Sequence, residues 1–172
     1  MKSTVLLLLL FFHFMDRSIS QVPAPPLEFL CELKVNLKPP LVVGETPHGV
    51  RRIIPITGGT VDGRIKGAIL EGGADWQVLR NDAVAELDAH YQLKTEDGVI
   101  IYIHNQGLRV ATPEVAARIA KGEIVAPSEY YFRSVMKLEA PKGRYGWINN
   151  AIFICKGIRN PDQVVIQVWE VK

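Results

Sequence analysis

The sequence predicts an all-β protein, a single closed antiparallel barrel carrying one short helix. Three observations carry this reading. From Leu27 onward, runs rich in Val, Ile, Leu, Tyr and Phe recur with Gly, Pro, Asn and Asp between them, the pattern of antiparallel strands. The intervening segments hold strong turn chemistry. Nine such runs in about 145 residues would leave too many unprotected edges in an open sheet, and closure removes them. A two-sheet sandwich fits the strand pattern equally well at this level.

The strands are expected near 27–37, 50–57, 64–70, 75–80, 84–93, 99–106, 129–139, 147–156 and 163–171. Glu96-Asp97-Gly98 marks a hairpin, because the glycine supplies the positive φ a tight strand connection needs. Thr57-Gly58-Gly59 and Glu71-Gly72-Gly73 are expected to be bends or bulges where the chain turns a barrel corner. The one convincing helix starts at Pro113 behind Thr112, presents Val115, Ala116, Ile119 and Ala120, and stops at Lys121-Gly122.

Before the barrel, Lys2 precedes the apolar run Val5 to Phe12, and the small residues Ser18 and Ser20 precede Gln21. Residues 1–20 therefore read as a secretory signal peptide, too short in its apolar stretch to span a bilayer. Residues 21–26 form a Pro-rich leader favouring an extended spacer, and residues 27–172 form the domain. Secretion or delivery to an endomembrane lumen is expected, with no stable membrane span once the signal is removed. That compartment would permit a disulfide between Cys31 and Cys155, although two buried thiols fit as well.

Composition narrows the function. The chain of 172 residues is 48% hydrophobic and 22% charged with a net charge of +2, which gives no field able to hold a nucleic-acid backbone. Gly58-Gly59 and Gly72-Gly73 are not followed by a Lys-Ser/Thr pair or a long helix, so no phosphate-cradling loop is present. Ser128 and Ser134 lie in no nucleophile-elbow pattern. His90 and His104 have a spacing that fits no compact ligand motif, so no metal site and no cofactor are expected.

A barrel of about eight strands has room inside for side chains or one small ligand, so strand alternation bears on pocket chemistry. Asp75-Trp76 sets a carboxyl beside a large apolar ring at a strand mouth, where desolvation would raise its pKa and make it a usable acid or base. The alternative has Asp75 capping the glycine turn and Trp76 in the core. On 129–139, Tyr131 and Arg133 alternate with Tyr130, Phe132, Ser134 and Met136. Arg133 could bind an anionic or enolate oxygen, or pair with Glu129 or Asp88 on the outer surface. Tyr91, Asn105, Trp147 and Asn149 complete the set of expected pocket residues, and His104 joins Asp75 as a candidate proton carrier.

Several separated motifs resemble a known family. They are Gly63-Arg64-Ile65-Lys66-Gly67-Ala68-Ile69-Leu70-Glu71-Gly72-Gly73-Ala74-Asp75-Trp76, Leu87-Asp88-Ala89-His90-Tyr91, Thr95-Glu96-Asp97-Gly98, Asn105-Gln106-Gly107-Leu108-Arg109, Glu129-Tyr130-Tyr131-Phe132-Arg133 and Tyr145-Gly146-Trp147-Ile148-Asn149. Together they are similar to the small calycin-like (lipocalin-like) β-barrels long filed as a domain of unknown function. His90 stands where that family usually carries an arginine. Members resembling this chain include the fungal hetero-Diels–Alderases of tropolone–sesquiterpenoid biosynthesis. The resemblance implies a cofactor-independent cyclase of secondary metabolism. Such an enzyme dehydrates a hydroxylated tropolone or phenol to an o-quinone methide, then holds it against a terpene alkene such as humulene. A pericyclic step asks for a dry pocket that fixes two partners in a reactive geometry. In this implied scheme Arg133, Tyr131 or Asn149 stabilises charge on the heterodiene oxygen, Asp75 or His104 moves the proton, and Trp76, Tyr91, Asn105 and Trp147 line the pocket. The partner is a small apolar or aromatic substrate, and self-association is left open. A non-catalytic binding protein for a small apolar ligand is the rival reading.

Overall fold

The computed structural model describes residues 22–172, so the signal segment expected at 1–20 and the first residue of the leader lie outside the described residues. The elements are β1 (Leu27–Leu37), β2 (Leu41–Thr46), β3 (Gly49–Gly63), β4 (Gly67–Ile69), β5 (Ala74–Leu79), β6 (Val84–Thr95), β7 (Ile100–Val110), α1 (Pro113–Ala120), β8 (Tyr131–Glu139), a 3-10 turn (Gly146–Asn150), β9 (Ile152–Arg159) and β10 (Gln163–Val171). All pairings are antiparallel. The sheet runs β1-β10-β9-β8-β7-β6, passes to β3 through β4 and β5, and closes where β3 returns to β1. The short strands β4 and β5 share one position in the ring and β2 continues along the β3 edge that β1 leaves, so the ten strands make an eight-position barrel.

β3 runs straight through the expected corner at Gly58-Gly59 instead of breaking into two strands. Its register against β1 slips between Asn36 and Leu37, which leaves Thr57 as the extra residue of a bulge. Gly58 and Gly59 have φ of 138° and 144°, and a Cβ on Gly59 would overlap the Lys34 carbonyl oxygen, so the close approach of β1 and β3 requires glycine there. The Glu96-Asp97-Gly98 hairpin forms as expected, with the Gly98 amide donating to the Thr95 carbonyl at 2.9 Å.

The expected helix forms over the expected residues. The Thr112 hydroxyl accepts from the Val115 amide at 3.3 Å, Pro113 sits in the first turn, and Lys121 caps the end. Val115 and Ile119 pack against the core, which fixes α1 across one end of the barrel. The other end is filled solid by residues such as Leu33, Ile65, Leu93, Ile101, Ile148 and Phe153.

Strand order also decides the cysteines. Cys31 on β1 pairs with Val168 on β10, and Val168 pairs with Cys155 on β9. Two strand spacings, about 9.5 Å, separate the cysteines, beyond the ~7 Å Cα reach of a disulfide. Both are free and buried, and burial pushes each thiol up to about 12.

Candidate functional site: buried charged groups in the lumen under the helix

The half of the lumen nearer α1 sets a few convergent polar side chains into walls that are otherwise apolar, with Val35, Ile54, Ile56, Phe132 and Ile166 among them. Asp75 on β5 points inward and inserts its carboxylate where the β5–β6 ladder has opened. Oδ1 accepts the Asp88 amide at 2.9 Å and Oδ2 accepts from Gln77 Nε2 at 3.0 Å. Gln77, itself buried, is oriented by Arg52, whose Nε and Nη2 both donate to Gln77 Oε1. Burial pushes the Asp75 carboxyl above its ordinary range, against the lowering pull of the Asp88 amide, Gln77, Arg52 and Arg109.

Three guanidiniums converge on this carboxyl. Arg52 shares the inward phase of β3 with Ile54 and Ile56, Arg109 that of β7 with Asn105 and Ile103, and Arg159 that of β9 with Cys155 and Phe153. Arg109 is 6% exposed, and among the described residues its guanidinium makes no hydrogen bond or ion pair to the protein. Burial, together with repulsion from Arg52 and Arg159, lowers it to about 10, so it stays charged at neutral pH. Arg52 and Arg159 are lowered mainly by burial, and each is raised in part by Asp75. The same cavity is lined by Tyr91, Asn105 and Ser134. Asn105 Oδ1 and Ser134 Oγ are buried with no partner, an uncommon condition for polar atoms in a native interior. Full burial holds the Tyr91 phenol well above its usual value, so it remains a neutral donor.

The inner cavity measures about 50 Å³. Past Arg109 and Arg159 it meets a second space of about 620 Å³ under α1, bounded by Pro39, Pro40, Ile119 and the bases Lys38, Arg80 and Lys121. A narrow, largely apolar interior holding Asp75 and Arg109 thus opens into a wider, basic mouth.

Of the residues expected at the site, Asp75, Tyr91 and Asn105 face the lumen. The others do not, and each has a physical reason. On β8 the inward phase belongs to Phe132, Ser134, Met136 and Leu138, so Tyr131 and Arg133 stand on the outer wall. There the Arg133 guanidinium stacks on the Tyr131 ring at 5.2 Å and donates to the Phe132 carbonyl; it pairs with neither Glu129 nor Asp88. His104 lies on the outer phase of β7, with Nε2 2.7 Å from Asp88 Oδ1. Trp76 is 38% exposed on the outer face, which excludes both the lumenal and the core placement. Trp147 and Asn149 sit in the 3-10 turn beyond the filled end, not on a strand. Trp147 is covered by Arg64, and Asn149 is spent on bridging Ala140 and Gly146.

Sequence reasoning missed Arg52, Gln77, Arg109 and Arg159. The signal was present, because each of the three arginines is in phase with the apolar inward residues of its strand. For Arg109 and Arg159, expected strand ends at 106 and 156 stopped short of β7 and β9, which run to Val110 and Arg159.

Against protein families, residues 25–171 match the model described as "Protein of unknown function (DUF3237)". The chain belongs to the DUF3237 family. A UPF0311 protein of Bradyrhizobium diazoefficiens is 41% identical over 131 residues, covering 76% of this chain and 86% of the relative. One from Clostridium acetobutylicum is 34% identical over 146 residues, covering 84% and 92%. Among solved structures, a conserved protein of unknown function from Rhodopseudomonas palustris superposes with a TM-score of 0.83 at 34% identity, covering 88% of this chain and 99% of that one. A β-barrel-like protein from Acinetobacter baumannii gives 0.77 at 36%, covering 89% and 99%. An enzyme from Penicillium herquei gives 0.66 at 19% identity, covering 89% and 98%, a likeness of fold alone. The DUF3237 barrel is thus the shared scaffold, and its chemistry has to be argued from the lumen.

Proposed function

We propose that this DUF3237 barrel is an enzyme that draws the polar, acidic head of a small organic molecule into the lumen and moves a proton on it through Asp75. The supporting observation is the company Asp75 keeps. A carboxyl raised by burial shares one cavity with an unpaired guanidinium, Arg109, and with two orphaned acceptor or donor atoms on Asn105 and Ser134. Isolated buried charge is costly, and such costs concentrate at functional sites.

The geometry divides the labour. In its neutral form Asp75 can give a proton to a leaving hydroxyl, and as the carboxylate it can take one from an acidic hydroxyl. Arg109, with Tyr91 as a second donor, meets the negative charge that gathers on an enolate or quinone-methide oxygen. The inner 50 Å³ accepts only that head, so a second, apolar reactant would wait in the 620 Å³ mouth. Holding both there supplies effective molarity for a cyclisation. This is the finer reading, a dehydrating hetero-Diels–Alder cyclase acting on a tropolone or phenol precursor and a terpene alkene. Residues 1–20, read as a leader, would route it into the secretory pathway.

The test incubates the purified protein and its Asp75→Asn variant with a hydroxylated tropolone precursor and humulene, following rate and product stereochemistry against a protein-free control. Accelerated, stereoselective product that disappears in the variant while binding of the precursor, followed by isothermal titration calorimetry, persists supports the reading. Binding without acceleration in either protein favours the ligand-carrier alternative. Dehydration without cycloaddition keeps the acid–base role and removes the cyclase.

A further inference from the structure

On the outer wall, on the far side of the β6–β7 sheet from the lumen, Asp88, His90 and His104 come together. His90 and His104 are register partners across β6 and β7, and Asp88 precedes His90 by one outward position on the same strand. Their rings stack with centroids 4.0 Å apart and planes 14° from parallel. Both Nε2 atoms face the same oxygen: His104 Nε2 lies 2.7 Å from Asp88 Oδ1, and His90 Nε2 lies 3.3 Å from it. One ligand atom from each residue falls within 4.8 Å of the other two.

We propose that Asp88, His90 and His104 form a binding site for a late first-row divalent cation such as Zn²⁺. Two imidazoles and a carboxylate are the donor set such ions prefer. Ligands about 2.0 Å from a tetrahedral ion stand roughly 3.3 Å apart. The His90–Asp88 separation already matches, and the shorter His104–Asp88 contact is the hydrogen bond the ion would replace. The side chains have the room to splay, since Asp88, His90 and His104 are 44%, 34% and 26% exposed.

The surroundings support ligation. His90 Nδ1 sits 2.6 Å from the Tyr102 hydroxyl, an outer partner that fixes the ring with Nε2 turned to the site. The Trp76 ring meets His90 edge-on at 5.5 Å and covers one flank. Among the described residues this is the group of three or more His, Cys, Asp or Glu side chains with ligand atoms so placed. Three protein ligands leave a fourth position to water. Lys and Arg side chains make no ion pair or hydrogen bond with Asp88 here, so no protein cation occupies the place of the ion.

The experiment titrates the purified, chelator-treated protein with Zn²⁺ alone against a chromophoric competitor, and with Co²⁺ alone while recording the visible d–d bands. The expected result is one ion per chain, with affinity falling at least about tenfold in His104→Gln and in Asp88→Asn/His90→Gln. Tetrahedral-type Co²⁺ bands should be present in the unaltered protein and absent from both variants. Circular dichroism of each variant guards against misfolding, and His48→Gln is the control that should leave binding unchanged. Binding that survives both site variants, or no binding stronger than theirs, overturns the proposal. Neither outcome bears on Asp75→Asn turnover, which reports on the lumen.

Discussion

Replacing Arg109 with methionine is expected to stabilise the fold while disabling the lumen. Arg109 is buried, makes no ion pair, and is crowded by Arg52 and Arg159. Its pKa of about 10, against the ordinary 12.5, corresponds to about 3 kcal/mol held against folding, at ~1.4 kcal/mol per tenfold change. Methionine has a similar length and no charge, and such replacements of buried charge gain about 1–4 kcal/mol. For a domain of this size each kcal/mol moves the melting temperature by roughly 2–4 °C, so a rise of about 5–10 °C should be seen at pH 7. The pH dependence checks the cause. The folded protein releases this proton before the unfolded chain does, so wild-type stability should climb as pH rises from about 10 toward 12.5. The penalty is complete below that window, and the gap between variant and wild type should narrow inside it. Differential scanning calorimetry at pH 7 and pH 10.5, with urea midpoints at constant m, measures both. A variant less stable than wild type at pH 7 would refute the reasoning, because it would mean that the guanidinium is satisfied rather than stranded.

Other expectations follow from the same geometry. The raised Asp75 pKa means that its contribution to stability is present below the ordinary carboxyl range and lost as pH rises through the raised value. Asp75→Asn should remove that slope from the stability–pH curve measured by urea denaturation. Arg133→Ala and Tyr131→Phe, on the outer wall, should change stability by less than about 1 kcal/mol and leave turnover intact, as thermal melts and rate assays on the variants would record. Both thiols should titrate with a disulfide reagent only after denaturation, since each is buried and held near 12, and intact mass should show no bridge. Gly59→Ala should cost more than about 2 kcal/mol by chemical denaturation, because its Cβ meets the Lys34 carbonyl on the neighbouring strand.

Much of the barrel was legible because it rests on local rules. Alternating apolar runs, the Glu96-Asp97-Gly98 turn and the Thr112–Pro113 helix start depend on neighbours in sequence; the turn and the helix formed where expected, while the run at 64–70 keeps only Gly67–Ile69 as strand and the run at 147–156 starts as a 3-10 turn before β9. β2 was not anticipated, because Leu41-Val42-Val43 is exposed and lies between Pro40 and Gly44, with no alternation to mark it. At the site, alternation alone could not say which phase of β8 faces in. That depends on how β8 docks against β7 and β9, and the choice sent Arg133 outward and Ser134 inward.

What the sequence determined by itself is the class of structure and the presence of a carboxyl with apolar neighbours, since propensity, turn residues and strand period are properties of short segments. Which charges share a volume was decided only by closure. Arg52, Asp75, Arg109 and Arg159 come from four strands and meet because the ring brings their inward phases to one end. Long-range juxtaposition of this kind is set by the pairing order of strands far apart in the chain, to which no local pattern is sensitive.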